Sequence, residues 1–275
     1  MASQRQKRER QRSQEKKIAG RKPSGANPPW PPRKRTLLLA LLLVVVGVVT
    51  YANSLRGPFI FDDTTWILGN PTTRQLWRID RILLVPDDLS VVGRPIVNLS
   101  LAISYAVSAT DPFGYHLTNL LIHLLAALTL FGVIRRTLSL PGMPAHLTRD
   151  AGGLAFACAL IWLVHPLQTS AVTYIIQRTE SLMGLFYLLA LYSLIRGSQA
   201  VRPIPWFLLA VITCFFGMGT KEVTVSAPVV LLVYDRIFLA GSFGELLRKR
   251  WGLYLGLAAS WILLAALVSD RSGTV

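Results

Sequence analysis

Residues 36–54, TLLLALLLVVVGVVTYANS, contain no charged side chain. A helix needs about 20 predominantly apolar residues to cross the hydrocarbon core of a bilayer, so this segment is long enough to span one. The whole chain of 275 residues is 52% hydrophobic and only 16% charged, whereas soluble domains carry about 25% charged residues. This composition excludes a single soluble domain. It predicts an all-α membrane protein, because a helix satisfies its own backbone hydrogen bonds in lipid.

Apolar runs of this kind recur along the chain and predict a polytopic protein with about seven transmembrane helices. The third run is short, and one tilted helix over residues 151–176 is the alternative. The predicted spans are Thr36–Ser54, Tyr115–Ile134, Ala151–Val164, Ser181–Ile195, Pro203–Met218, Val223–Leu239 and Leu253–Val268.

Residues 1–35 form a basic segment that ends in a proline-rich stretch and has almost no large apolar side chains. This composition predicts a disordered tail. A nucleic-acid-binding arm would look similar, but directly before an apolar run we favour a cytoplasmic anchor and expect no nucleic-acid partner. With this tail inside and seven crossings, 21 of the 29 basic residues lie on the cytoplasmic side, as the positive-inside rule requires.

The first outer loop, residues 55–114, is far longer than a connection needs, which is typical of a functional segment. After Pro95 it contains an apolar run, residues 96–107, that is too short to cross and predicts an interfacial helix. The predicted membrane domain comprises residues 36–268. Residues 269–275 would then be a truncated outer segment of a longer protein.

Two adjacent carboxylates, Asp62 and Asp63, follow the first span by roughly ten residues. Neighbouring carboxylates beside apolar side chains repel each other and are poorly solvated, which raises one pKa toward that of a general base. A simple turn in a polar loop is the alternative.

Further polar side chains occur at the outer ends of the predicted spans. A site that handles a phosphate at the membrane surface needs cations for the phosphate and a carboxylate for proton transfer. Ordinary snorkelling anchors are the alternative. The residues concerned are Arg94, His116, His165, Arg178, Glu180, Lys221 and Glu222.

His116, Asn119 and His123 form a stripe at helical spacing, which we interpret as a structural polar face inside the membrane. The two histidines are about 10.5 Å apart along the axis, too far to share one metal ion. Asp235 is predicted to pair locally with Arg236 or to snorkel.

Several site classes are excluded by the motifs. Cys158 and Cys214 lie in apolar runs without zinc-like spacing, which excludes a disulfide scaffold and a structural zinc site. No phosphate-binding P-loop or dinucleotide-binding glycine pattern occurs, which argues against ATP-driven transport. No metal site is predicted, since the aspartate pair alone specifies no metal, and a divalent-metal requirement stays open.

Six motifs, in this order and spacing, resemble the membrane part of the transmembrane and tetratricopeptide-repeat-containing O-mannosyltransferases, and especially their bacterial relatives. The resemblance covers about residues 50–240. The motifs are YANSLRGPFIFDD (51–63), GRPI (93–96), GYHLTNLLIH (114–123), HPLQT (165–169), AVTYIIQR (171–178) and KE (221–222).

The resemblance implies a C-type glycosyltransferase fold that takes a sugar from a polyprenyl-phosphate carrier at the outer face. One of Asp62 and Asp63 would deprotonate a hydroxyl of an acceptor polypeptide or glycan, with inversion at the sugar. Glu180 and Glu222 would serve as a second acid or acceptor contact. It places the protein in the bacterial inner membrane, or in the endoplasmic reticulum membrane of a eukaryote. The implied donor-phosphate ligands are Arg94, His165, Arg178 and Lys221.

The chain departs from the family pattern in two ways. Ser170 stands where animal members usually have a glutamate, and no tetratricopeptide repeats are present. A non-catalytic membrane anchor or scaffold of the same fold is therefore the second hypothesis. A transporter is the third hypothesis and ranks last. The ionisable residues of a transporter should lie near the bilayer midplane, whereas those of this chain are predicted to collect at one surface.

Overall fold

The computed structural model describes residues 32–85 and 91–272, with side chains for residues 33–85 and 91–269. This part of the chain is helical and contains no β-strand, which confirms the prediction of an all-α membrane protein. Its helices of at least twelve residues are α1 (Pro32–Tyr51), α2 (Pro95–Ser108), α3 (Pro112–Leu138), α4 (Ala151–Leu163), α5 (Arg178–Gln199), α6 (Ile204–Met218), α7 (Ala227–Phe238) and α8 (Phe243–Ser272).

The chain forms two compact units, Met1–Leu37 and Leu38–Val275. Of the first unit, only residues 32–37 are described, and they form the first turns of α1. Most of the predicted basic tail, residues 1–31, therefore lies outside the described residues, as do residues 273–275 of the predicted outer segment.

In the part of the chain that the structure describes, fewer helices than predicted are long and apolar enough to cross a membrane. Four pass this criterion alone, and a fifth candidate is the bent pair Ala151–Leu163 and Pro166–Thr173. Helices α6 and α7 are apolar but have only 15 and 12 residues. The count of seven crossings thus stays a prediction. The four single candidates are Arg33–Arg56, Pro112–Leu138, Ile175–Gln199 and Phe243–Ser269.

The alternative of one continuous helix over residues 151–176 is wrong. Helix α4 ends at Leu163, and Pro166 begins a separate 3-10 turn at an angle of 55°. Proline has no backbone N–H and cannot continue a helix without breaking its hydrogen bonds.

The central helices of the second unit are α3 and α5. Helix α3 packs against α4 and α5, α5 also packs against α6, and α6 packs against α8. Leu43, Leu124 and Leu163 lie in the core where α1, α3 and α4 meet. In contrast, Leu41 of α1 and Ile262 of α8 are 60% and 73% exposed. Uncovered apolar surface of this kind is expected of helices that face lipid.

The long loop after α1, which was predicted to lie on the outer side, is ordered where the structure describes it. It contains short helical turns and α2, which is the helix predicted for residues 96–107. A buried network attaches the loop to α2: Asn70 Nδ2 donates to Asn98 Oδ1 at 2.9 Å, and Asn98 Nδ2 donates to Thr72 Oγ1 at 2.9 Å. Buried amides are stabilising only when paired, so this network fixes the loop on the helix bundle.

Asp235 does not pair with its sequence neighbour. The carboxylate of Asp235 in α7 is fully buried and binds the guanidinium of Arg250 in α8, while Tyr254 Oη donates to Asp235 Oδ2 at 2.7 Å. Arg236 instead lies over the ring of Phe243. The prediction of a local pair was wrong because α8 bends at Arg250, where φ is −135°, and this bend brings Arg250 to α7.

Candidate functional site

The aspartate pair lies in a tight turn after α1. Phe61, directly before it, has a positive φ of 47° and an 81% exposed side chain. Positive φ is uncommon for a bulky residue and is retained only where surrounding contacts enforce it. The N–H of Asp63 closes the turn on the carbonyl of Ile60 at 2.9 Å. As a result, the two neighbouring carboxylates point to different surroundings.

Asp63 is buried, with 1% of its surface exposed. Its Oδ1 accepts from the N–H of Ile176 at 2.9 Å, and its Oδ2 accepts from the N–H of Ile60 at 3.1 Å. Burial raises the pKa of the Asp63 carboxyl above its ordinary value, although these two amides oppose the shift. The Asp63 carboxylate therefore joins the loop to the segment before α5.

Asp62, in contrast, is exposed and lines an open cleft. The hydroxyl of Tyr174 donates to Asp62 Oδ2 at 3.2 Å and accepts from the N–H of Asp62 at 3.2 Å. The ring of Phe61 packs edge-on against that of Tyr174, with centroids 6.1 Å apart. Tyr174 thus holds the carboxylate while leaving the other oxygen accessible.

The cleft beside Asp62 has a volume of about 270 Å³. It combines one carboxylate at its wall with two cations and a second acid from other parts of the chain. We call it the outer cleft. Its lining residues are Asp62, Trp66, Arg94, Tyr174, Ile176, Gln177, Thr179, Glu180 and Lys221.

The two cations of the outer cleft are held differently. Arg94 lies over the ring of Trp66, 5.4 Å from its centroid, and its buried Nε has no hydrogen-bond partner among the described residues. Lys221, which precedes the turn before α7, forms an ion pair with Glu180 in the first turn of α5. Arg94 therefore still has an N–H available for a hydrogen bond. The ammonium of Lys221 would become available if its ion pair with Glu180 broke.

Arg178 does not line the outer cleft. It is fully buried, and its guanidinium donates to Asn119 Oδ1 at 2.7 Å, Ser104 Oγ at 2.9 Å and the carbonyl of Tyr115 at 2.9 Å. These acceptors come from α2 and α3, so Arg178 connects three helices. With a further bond to the carbonyl of Ser100, four of its five N–H donors are used, and its full burial keeps the guanidinium away from a phosphate in the outer cleft.

Two other predicted residues also lie outside the lining of the outer cleft. His165 is exposed, and its Nδ1 accepts from the N–H of Leu167 at 3.2 Å, which caps the turn that begins at Pro166. Glu222 is partly buried beside Lys221, in the first turn of the 3-10 helix.

The stripe on α3 is buried and bonded to backbone. His116 and His123 donate from Nε2 to the carbonyls of Gly57 and Leu163, since a carbonyl can only accept. Asn119 Nδ2 donates to the carbonyl of Ile175 at 3.2 Å. Among the described residues, no three His, Cys, Asp or Glu side chains are grouped as a metal site would need.

Comparison with known proteins gives a consistent set of relatives. Protein O-mannosyl-transferase TMTC1 of Mus musculus is 30% identical over 217 residues, which are 71% of this chain and 22% of that protein. TMTC2 of Homo sapiens is 30% identical over 72% of the chain and 24% of its own length. For TMTC3 of Homo sapiens the figures are 26% identity over 82% of the chain and 26% of that protein.

The chain belongs to the transmembrane and tetratricopeptide-repeat-containing O-mannosyltransferase family. This membership confirms the resemblance carried by the six motifs. The chain spans about a quarter of the length of the curated relatives that it matches. No protein-family model and no solved structure matches the chain.

Within the family motif AVTYIIQR, the sequence pointed to Arg178 but gave no indication of a role for Tyr174. Tyr174 lies 112 residues after Asp62, and nothing in local spacing indicates that the fold brings their side chains together. The sequence gives no indication of a role for Trp66 either. Its place beneath Arg94 depends on the tertiary packing of α2 against the turn that follows the aspartates.

Proposed function

We propose that this chain carries the reaction site of a membrane glycosyltransferase. It transfers a sugar, mannose by analogy with its relatives' names, from a polyprenyl-phosphate carrier to a hydroxyl of an acceptor polypeptide. The reaction takes place on the extracytoplasmic face, with inversion. The observation that carries this proposal is that Asp62, Arg94 and Lys221 line one cleft.

The donor phosphate is assigned to the two cations of the outer cleft. When the bond between the anomeric carbon and the phosphate oxygen breaks, its electron pair goes to the phosphate, which gains negative charge. A guanidinium with an unpartnered Nε, as in Arg94, and the ammonium of Lys221 can stabilise that charge. Lys221 must first exchange Glu180 for the phosphate.

The proton of the acceptor hydroxyl is assigned to Asp62. Its carboxylate takes this proton while the hydroxyl oxygen forms a bond to the anomeric carbon, on the side opposite the leaving phosphate, which inverts that carbon. Tyr174 holds the carboxylate through Oδ2 and is a positioning residue. Asp63 is too buried to meet an acceptor, and we assign it to holding the turn.

Glu180 is assigned to the acceptor side of the outer cleft. Once Lys221 turns toward the donor phosphate, the Glu180 carboxylate can accept a hydrogen bond from another polar group of the acceptor. Arg178, with its four neutral acceptors, positions the start of α5 that carries Glu180.

The test is transfer of radiolabelled mannose from polyprenyl-phosphate mannose to a Ser/Thr-rich peptide, with the full chain in liposomes. Asp62→Asn keeps the size of the side chain and removes the base. Since general-base catalysis contributes about 100-fold or more, transfer should fall by at least that factor. Asp80→Asn is the matched control, because Asp80 is an exposed carboxylate of the same loop, paired with Arg78.

Full activity of Asp62→Asn would overturn this assignment. Saturable donor binding without transfer by the unmodified chain would instead favour the non-catalytic anchor or scaffold of the same fold. That outcome separates the hypothesis of a binding module from that of an enzyme.

A further inference from the structure

Three arginines meet at the ends of α3 and α5 that lie farthest from the outer cleft. Arg135 and Arg136 belong to the last turn of α3, and Arg196 belongs to the last turn of α5. The beginnings of these helices are joined by the bond between Arg178 and the Tyr115 carbonyl. Twenty residues of helix separate Tyr115 from Arg135, which is about 30 Å. This distance equals the thickness of the hydrocarbon core.

The three guanidinium groups lack both a hydrogen-bond acceptor at Nε and an acidic partner among the described residues. In each of them the Nε is buried and has no hydrogen-bond partner among the described residues. The described ion pairs involve other basic residues, and none includes Arg135, Arg136 or Arg196. Burying donors of a charged group without acceptors costs free energy, which a bound anion would recover.

Aromatic rings hold two of these arginines in place. Arg136 lies over Tyr192, 5.5 Å from the ring centroid, and Arg196 lies over Trp206 at 4.5 Å. The two rings contact each other edge to face at 6.3 Å. A Cβ atom at Gly132 would lie 2.8 Å from Tyr192, so only glycine lets the ring approach α3 this closely. The guanidinium groups of Arg136 and Arg196 are therefore preorganised, which lowers the entropic cost of binding.

Arg135 and Arg136 face an open cleft of about 390 Å³, together with Ser139, Pro141 and Gln199. We call it the arginine cleft. It has room for a phosphate group, and a guanidinium matches two phosphate oxygens at once. Arg136 already donates to Gln199 Oε1 at 3.0 Å, which orients its remaining donors. Basic pockets between transmembrane helices are typical sites for phosphate-bearing lipid head groups.

We infer that the arginine cleft binds a phosphate group, presented by an anionic phospholipid of the leaflet opposite the outer cleft. This site does not depend on the proposed glycosyl transfer. It would anchor the ends of α3 and α5, whose beginnings carry the residues around the outer cleft.

The test counts lipid molecules bound to the purified full chain in neutral detergent by native mass spectrometry. Phosphatidylglycerol and phosphatidylcholine are the probes, and inorganic phosphate is added as a competitor. The unmodified chain should retain phosphatidylglycerol saturably and in preference to phosphatidylcholine. Arg135→Gln/Arg136→Gln should weaken that binding at least tenfold. The control double variant, Arg202→Gln/Arg248→Gln, removes the same charge from exposed positions outside the cleft. It should leave phosphatidylglycerol binding unchanged.

A second variant leaves the arginines in place. Ser139 is exposed and lines the arginine cleft, so Ser139→Asp puts a carboxylate there without disturbing the core. It should weaken phosphatidylglycerol binding as well, whereas Ser242→Asp, at an exposed helix start, should not.

The competitor distinguishes the two sources of phosphate. Displacement of phosphatidylglycerol by millimolar inorganic phosphate would show that the phosphate group alone suffices for binding. If no displacement occurs, the rest of the lipid is required as well. Both outcomes support a phosphate site. Equal binding by the cleft variants and the unmodified chain would overturn the proposal. So would equal losses in cleft and control variants, since net charge alone would then explain binding.

Discussion

At the scale of single residues, the two neighbouring aspartates lie in different surroundings. Asp62 is exposed in the outer cleft, and Asp63 is buried with both oxygens occupied by backbone amides. The sequence predicted that one of the two would be the base but could not assign it. Adjacent side chains in a turn separate according to its backbone dihedrals, and Phe61 has a positive φ that no spacing rule indicates.

The raised pKa of Asp63 predicts a pH dependence of stability. Burial raises its pKa above 3.8 in the folded state, so the folded protein binds this proton more tightly than the unfolded chain does. Stability should therefore fall as the pH rises from about 3.8 through the folded pKa, and change no further above it. Thermal unfolding of the detergent-solubilised protein measures this.

The comparison variant is Asp63→Asn, which lacks the titrating proton. Its amide nitrogen faces one backbone donor, at Ile60 or Ile176, and leaves that N–H unpaired. At neutral pH we expect a loss of about 1–3 kcal/mol. Its pH profile should lack the slope assigned to Asp63, and an unchanged slope would show that another group is responsible.

At the scale of elements, two buried polar connections determine how helices meet. Arg178 joins α5 to α2 and α3, and Asp235 joins α7 to α8. Hydropathy located most of these helices because their apolar runs are long. It could not locate their partners, since Arg178 and Asp235 contact residues remote in sequence or displaced by a bend. It did place the end of the third span at Val164, next to the end of α4 at Leu163, but it left open whether the helix continues to residue 176.

The ion pair between Asp235 and Arg250 predicts a large effect on stability. Their side chains are 0% and 12% exposed, so Asp235→Asn leaves the charge of Arg250 largely buried without a counter-charge. We expect a loss of about 3–5 kcal/mol in the free energy of unfolding. The thermal unfolding midpoint in detergent measures it.

The control for this prediction is the pair of Glu245 and Lys249, which lies on the same helix and is far more exposed. Glu245→Gln should lower the unfolding midpoint far less than Asp235→Asn does, because solvent screens an exposed ion pair. Equal destabilisation by the two substitutions would contradict a special role for the buried pair.

At the scale of the whole molecule, α3 and α5 run side by side between two polar sites. Their beginnings lie near the residues of the outer cleft, and their ends carry the arginine cleft. The sequence predicted an all-α membrane protein and the family, because composition and ordered motifs are properties of the chain itself. It did not predict which members of the polar set converge, since Arg94, Glu180 and Lys221 meet only through tertiary packing.

The central claim, that the outer cleft faces the extracytoplasmic side, is tested by cysteine labelling in a Cys158→Ala background. The remaining Cys214 is buried and should not react. Phe61 beside the outer cleft and Ser139 in the arginine cleft are exposed positions for the single substitutions Phe61→Cys and Ser139→Cys. A membrane-impermeant maleimide should label the first in right-side-out vesicles and the second in inverted vesicles. Labelling of Phe61→Cys in inverted vesicles alone would contradict the account.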